Sequence, residues 1–185
     1  YVRGLQCPKS LWLYKNKPEL RSRPSAQEES LFETGHQAGD LACQLFPGGI
    51  EIPFNPKDFE GMIQLTSDLI AQGQEVIYEA TFKQKGVFAM ADILVKIDDQ
   101  WDVYEVKAST GVKSYHRHDA SVQWYALSQV LDLRSISIVH INNQYERQGD
   151  LDIHQLFAIA DITDEVLAKQ TEIPIRLREM EAMIN

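Results

Sequence analysis

On the predominantly apolar stretch between Val87 and Ser109 sit three residues that a buried strand does not tolerate without a reason: Asp92, Glu105 and Lys107. Leaving a carboxylate unpaired in such a setting costs roughly several kcal/mol. Two carboxylates and an ammonium therefore either compensate one another or hold a cation. Glu105 and Lys107 are two residues apart, so on a strand they project to the same side. Asp92 precedes Glu105 by thirteen residues, a separation that a hairpin closes by pairing its two strands. One reading is a reactive site; the other is a buried ion-pair network in an ordinary α/β domain.

The surrounding pattern supplies the hairpin. Alternation from Val87 to Ile97 predicts one strand, Asp98-Asp99-Gln100 a turn, and Trp101 to Ala108 a second strand. Upstream, Pro8 opens a short helix at Lys9. A polar, proline-containing loop then carries Lys15, Lys17, Arg21 and Arg23, either a solvated linker or a contact for phosphates. Ser25 and Glu28 form a capping box for a helix running to Phe46. That helix holds His36 between Gly35 and Gly39, glycines that imply a closely approaching neighbour. A short strand at Glu51–Phe54, an amphipathic helix ending at Gly73, and a strand over Gln74–Phe82 follow. Glu79, within the last, is read equally as a supporting carboxylate or a solvent-facing residue. After the hairpin come a polar segment with Lys113, His116, Arg117 and His118, a helix from Asp119 to Val130, and a strand through Ile136, Ile138 and His140. Asp119 and Gln123 share a face of that helix. The C-terminal stretch is helical, with Thr163 as its cap and Pro174 interrupting it. This order predicts an α/β fold with a central mixed β-sheet flanked by helices.

Composition narrows the setting. The 185 residues carry 44% hydrophobic and 24% charged residues and a net charge of −9, ordinary for a globular domain and opposed to a surface that coats nucleic acid indiscriminately. No apolar run reaches membrane-spanning length, and two cysteines, Cys7 and Cys43, give no disulfide framework. The expectation is a single domain over residues 1–185, cytoplasmic, with no membrane partner. Beginning at Tyr1 and not Met, it is expected to be a fragment of a longer protein.

Asp92 followed by Glu105-Val106-Lys107 resembles the D…(D/E)-x-K core of the PD-(D/E)XK nuclease superfamily. The segment ETGHQAGDLA around His36 is similar to the helical Gly-His of the RecB-like branch. Gln123 and Tyr125 resemble the Gln/Tyr motif of that branch, although only one residue separates them. GLQCPKSLWL resembles the N-terminal cysteine segment of the CRISPR-associated RecB-like exonucleases, and the likeness runs in order from Gly4 to Tyr125. No cysteine follows Cys43, so an iron–sulfur cluster is not supported by this chain.

The resemblance implies a restriction-endonuclease-like core and a metal-dependent, exonuclease-like phosphodiesterase, serving repair or defence against foreign DNA. His36, Asp92, Glu105 and the Val106 carbonyl make an N/O donor set suited to Mg2+ or Mn2+. Lys107 then orients the attacking water or steadies negative charge, and Gln123 positions the substrate or the lysine. Lys113, Arg117 and Tyr125 are the expected substrate contacts, with DNA favoured over RNA as partner. The alternative is a catalytically idle module of the same fold that binds nucleic acid or a partner protein. Oligomeric state is left open.

Overall fold

In a computed structural model describing residues 1–185, the chain passes in order through helices α1 (Val2–Gln6), α2 (Pro8–Asn16) and α3 (Ala26–Ala42), strand β1 (Ile50–Glu51) and helix α4 (Phe59–Ala71). Strands β2 (Val76–Gln84), β3 (Val87–Ile97) and β4 (Gln100–Lys107) follow. Helix α5 (Ser114–Leu127), strand β5 (Leu133–Ile141), helix α6 (Ile153–Leu156), strand β6 (Phe157–Asp161), and helices α7 (Thr163–Leu167) and α8 (Ile173–Ile184) complete it. Two tight turns build the middle of the sheet. Lys85, Gly86 and Asp98 all take positive φ (50°, 79° and 55°), the backbone that lets a two-residue loop follow the twist of its strands.

The six strands lie in the order in which they occur. β2, β3 and β4 are antiparallel neighbours, whereas β1 joins β2, and β4 joins β5, in parallel. Parallel neighbours need a crossover, which α4 and α5 supply. The result is the expected α/β architecture, a mixed sheet flanked by helices, consistent with a restriction-endonuclease-like core. Ile77, Ala91, Leu94, Val103 and Ile136 form an apolar layer with residues of α4, α5 and α7. Ile93, Val95 and Val139 make a smaller one with Ala42 and Phe157. Each fully buried aliphatic side chain contributes about 1.5–3 kcal/mol.

Several expected boundaries move. α5 begins at Ser114 rather than Asp119, so His116 and Arg117 are helical. α3 ends at Ala42 and tightens into a 3-10 turn over Cys43–Leu45. Pro174 stands in the first turn of α8 and starts that helix instead of kinking an existing one. Thr163 does not cap α7 with its side chain; its Oγ1 accepts the Ile136 N–H at 3.0 Å and ties the helix to β5. The Ser25–Glu28 capping box is formed as the sequence predicts.

One buried charge is matched within the fold. Asp102 on β4 is 2% exposed, and its carboxylate accepts hydrogen bonds from Arg134 and from Ser135 Oγ at 2.8 Å. Arg134→Ala removes the counter-charge but leaves the Ser135 hydroxyl, and is expected to lower the midpoint of unfolding. Urea denaturation measures this; an unchanged midpoint would contradict it.

Candidate metal and catalytic cleft

The sheet is irregular at one level, where the ionisable groups collect. β2 pairs with β3 at Tyr78–Ile93 and again at Ala80–Ala91, but the intervening Glu79 adopts φ +56°. A non-glycine residue in that region is strained and held only by its surroundings. Thr66 of α4 provides one anchor: its Oγ accepts the Thr81 N–H at 2.9 Å while donating to the Met62 carbonyl. The β3–β4 ladder begins only at Ile93–Tyr104. One step further Asp92 lies beside Glu105, and Asp92 Oδ2 accepts the Val106 N–H at 2.6 Å in place of a backbone carbonyl. The irregularity also reverses strand parity. Ala89 and Ala91 share the large apolar layer with Leu94, and Ala80 with Ile77.

Glu79, Asp92 and Glu105 therefore stand at corresponding positions on three adjacent strands. All three line one open cavity of about 550 Å³, together with His36, Val106 and Lys107. Glu105 is 4% exposed and both its oxygens are engaged, Oε1 by Lys107 Nζ at 2.6 Å and Oε2 by Gln123 Nε2 at 2.7 Å. Lys107 Nζ also reaches Asp119 Oδ2 at 3.0 Å. Gln123 Oε1 is buried with no hydrogen-bond partner.

The charges are unevenly matched. Burial raises the pKa of Glu105, and the nearby Asp92 charge adds to it, against Lys107. Asp92 is likewise raised by burial, opposed by Lys107 and by the Val106 N–H. Burial, then Glu105, pushes Glu79 up to about 7. Burial works against the Lys107 ammonium, but Glu105 and Asp119 outweigh it and raise its pKa. One lysine thus serves several carboxylates.

The donor chemistry fits a hard divalent cation: carboxylates confined together whose mutual repulsion a cation would relieve. Asp92 keeps one oxygen free of the Val106 N–H, and neither Glu79 nor His36 takes part in an ion pair. As they stand, no three His, Cys, Asp or Glu side chains are close enough together to hold a metal ion.

Other expected site residues lie elsewhere. Arg117 is ion-paired with Glu165 of α7. Lys113 is exposed at the start of α5, its N–H given to His116 Nδ1 at 3.1 Å. His116 is buried, and its pKa falls to about 4 through burial and the nearby Lys107 and Lys113 charges. Tyr125 packs against the large apolar layer and does not line the cavity. Gly35 and Gly39 border the cavity, yet a Cβ at either would meet nothing within 4 Å. Their faces open onto the cleft and not onto a neighbouring backbone. Asp119 is the member of the network to which the sequence reading assigns no role. Its position one turn before Gln123 on the same face is the available signal.

No family model and no curated protein matches the chain. Among solved structures it is similar to an alkaline exonuclease, LHK-Exo, from Laribacter hongkongensis, with 16% identity, a TM-score of 0.39, and coverage of 88% of this chain and 84% of that one. It is also similar to the crystal structure of SSO0001, with 14% identity, a TM-score of 0.30, and coverage of 91% and 85%. No helix is long and apolar enough to cross a membrane.

The raised Glu79 pKa has a defined effect on stability. A carboxyl whose folded pKa lies above its ordinary value of 4.5 stabilises fully below pH 4.5, and that contribution is lost as pH rises through about 7. In EDTA, the Tm of the wild type should therefore fall relative to that of Glu79→Gln across this interval. Parallel curves would contradict the assignment.

Proposed function

We propose that this chain is a metal-dependent nuclease that hydrolyses phosphodiester bonds of DNA, exonuclease-like in its action, in repair or in defence against foreign DNA. The observation that carries the reading is the row Glu79, Asp92 and Glu105 across three strands, sharing one open cavity with Lys107. A purely structural ion pair has the form of Asp102, where the nearby donors match a single carboxylate. The cavity row instead keeps surplus negative charge beside solvent, at the cost of a strained Glu79.

Asp92, Glu105, Glu79, His36 and the Val106 carbonyl are the groups that would hold Mg2+ or Mn2+. Such an ion, when bound, lowers the pKa of water and offsets charge on a phosphate. An ammonium has three donors. Lys107 commits two to Glu105 and Asp119, so one remains for a phosphate oxygen or the attacking water. Its raised pKa keeps it protonated, which suits it to stabilise negative charge rather than to accept a proton. Asp119 fixes the direction of the ammonium, and Gln123 fixes the Glu105 carboxylate through Oε2. Gln123 is thus a positioning residue. The iron–sulfur cluster of the CRISPR-associated enzymes has no place in this reading.

End-labelled single- and double-stranded DNA incubated with Mn2+, Mg2+ or EDTA tests the proposal. Cleavage should require the metal and fall by about 10²–10³-fold in Lys107→Ala, with the fold intact by circular dichroism. Cleavage undiminished in Lys107→Ala would remove the role assigned to the lysine. Metal binding without cleavage of any nucleic acid would favour the idle binding module instead.

A further inference from the structure

The N-terminal arm, α1, α2 and the loop before α3, encloses a second cavity of about 540 Å³. Its lining gathers Arg3, Lys9, Lys17 and Arg21, although the chain as a whole carries a net charge of −9. The one acidic residue that borders it, Glu28, is occupied by the capping box, accepting the Ser25 N–H and hydroxyl at 2.8 Å each. None of the four cations is in an ion pair. Two of them are held in place: the Arg3 and Arg21 guanidinium groups lie 4.6 and 3.7 Å from the centre of the Tyr14 ring. Arg21 Nη2 donates to the Tyr14 carbonyl at 2.5 Å, and Arg3 Nη1 donates to Ser10 Oγ at 3.1 Å. Guanidinium groups fixed in this way lose little entropy when they bind an anion.

The basic cavity meets the carboxylate cavity at one residue. Phe32 of α3 borders both and is 62% exposed. An aromatic face presented to solvent between a basic recess and a site for phosphodiester chemistry matches how proteins grip single strands. Cations follow the backbone, and the ring stacks against a base.

We infer that this arm is a binding site for one polynucleotide strand: Arg3, Lys9, Lys17 and Arg21 hold its phosphodiester backbone, and Phe32 stacks a base where the strand turns into the cleft. The inference rests on the nuclease reading of the cleft for the strand's destination, but its binding site lies outside the carboxylate row.

Fluorescence anisotropy with a labelled single-stranded oligodeoxynucleotide, in EDTA so that nothing is cleaved, tests it across a salt series. Lys9→Gln/Lys17→Gln/Arg21→Gln should weaken binding by roughly tenfold or more and make the log–log salt dependence shallower by about 0.7 for each phosphate no longer neutralised. Phe32→Ala should weaken it by about fivefold or more. Lys9→Gln/Lys17→Gln alone, which leaves the Tyr14 stack intact, should weaken binding in the same direction. Absence of binding by the wild type, or wild-type affinity in the triple variant, would overturn the inference. Competition by inorganic polyphosphate as effective as by the oligonucleotide, with no effect of Phe32→Ala, would also overturn it, in favour of a general polyanion site. Arm-dependent binding by a protein that cleaves nothing would uphold it while removing the nuclease reading.

Discussion

Carboxyl groups crowded onto three adjacent strands beside one open cavity are the constraint on which this structure turns. Glu79, Asp92 and Glu105 occupy neighbouring positions on β2, β3 and β4, and Lys107 supplies the compensating charge within their network. Regular antiparallel pairing would have continued through this level and closed it. Instead the ladder opens, Glu79 is turned to positive φ, and the Asp92 carboxylate takes the N–H of Val106. The surrounding elements keep that break in place. α4 anchors the displaced strand through Thr66, and α5 fixes both ends of the Lys107–Glu105 pair through Asp119 and Gln123.

Much of this was legible in the sequence because charge inside an apolar hairpin is conspicuous. Asp92, Glu105 and Lys107 stood out for that reason, and the two-residue spacing of Glu105 and Lys107 correctly placed them on one side of β4. Glu79 stayed undecided because strand periodicity assigns faces only while the backbone remains regular. Once Glu79 leaves the β region, parity reverses, and alternation no longer tells inside from outside. The mixed sheet flanked by helices was legible in the succession of elements, whereas the order of its strands comes from the structure.

Composition does not reveal partners distant in the chain. The segment with Lys113, His116 and Arg117 read as polar, but an early start to α5 buries His116 and turns Arg117 toward Glu165, 48 positions later. Gly35 and Gly39 read as room for a neighbouring backbone, yet what they border is open space in the cleft. The polar loop before α3 read as either linker or phosphate contact. Of its cations, Arg21 stacks with Arg3 of α1 on Tyr14 and Lys17 borders the same cavity, a convergence that linear spacing does not disclose.

The proposed binding of a divalent cation to the carboxylate row would have a thermodynamic signature. Because burial raises the pKa of Asp92, Glu105 and Glu79, a cation that binds there must displace protons near neutral pH. Isothermal titration with Mn2+ at pH 7, repeated in buffers of different ionisation enthalpy, measures that release directly. Saturable binding with protons released is expected, with loss of both in Asp92→Asn/Glu105→Gln. Absence of Mn2+ binding by the wild type, or binding that persists unchanged in the double variant, would contradict a cation-binding role for the row.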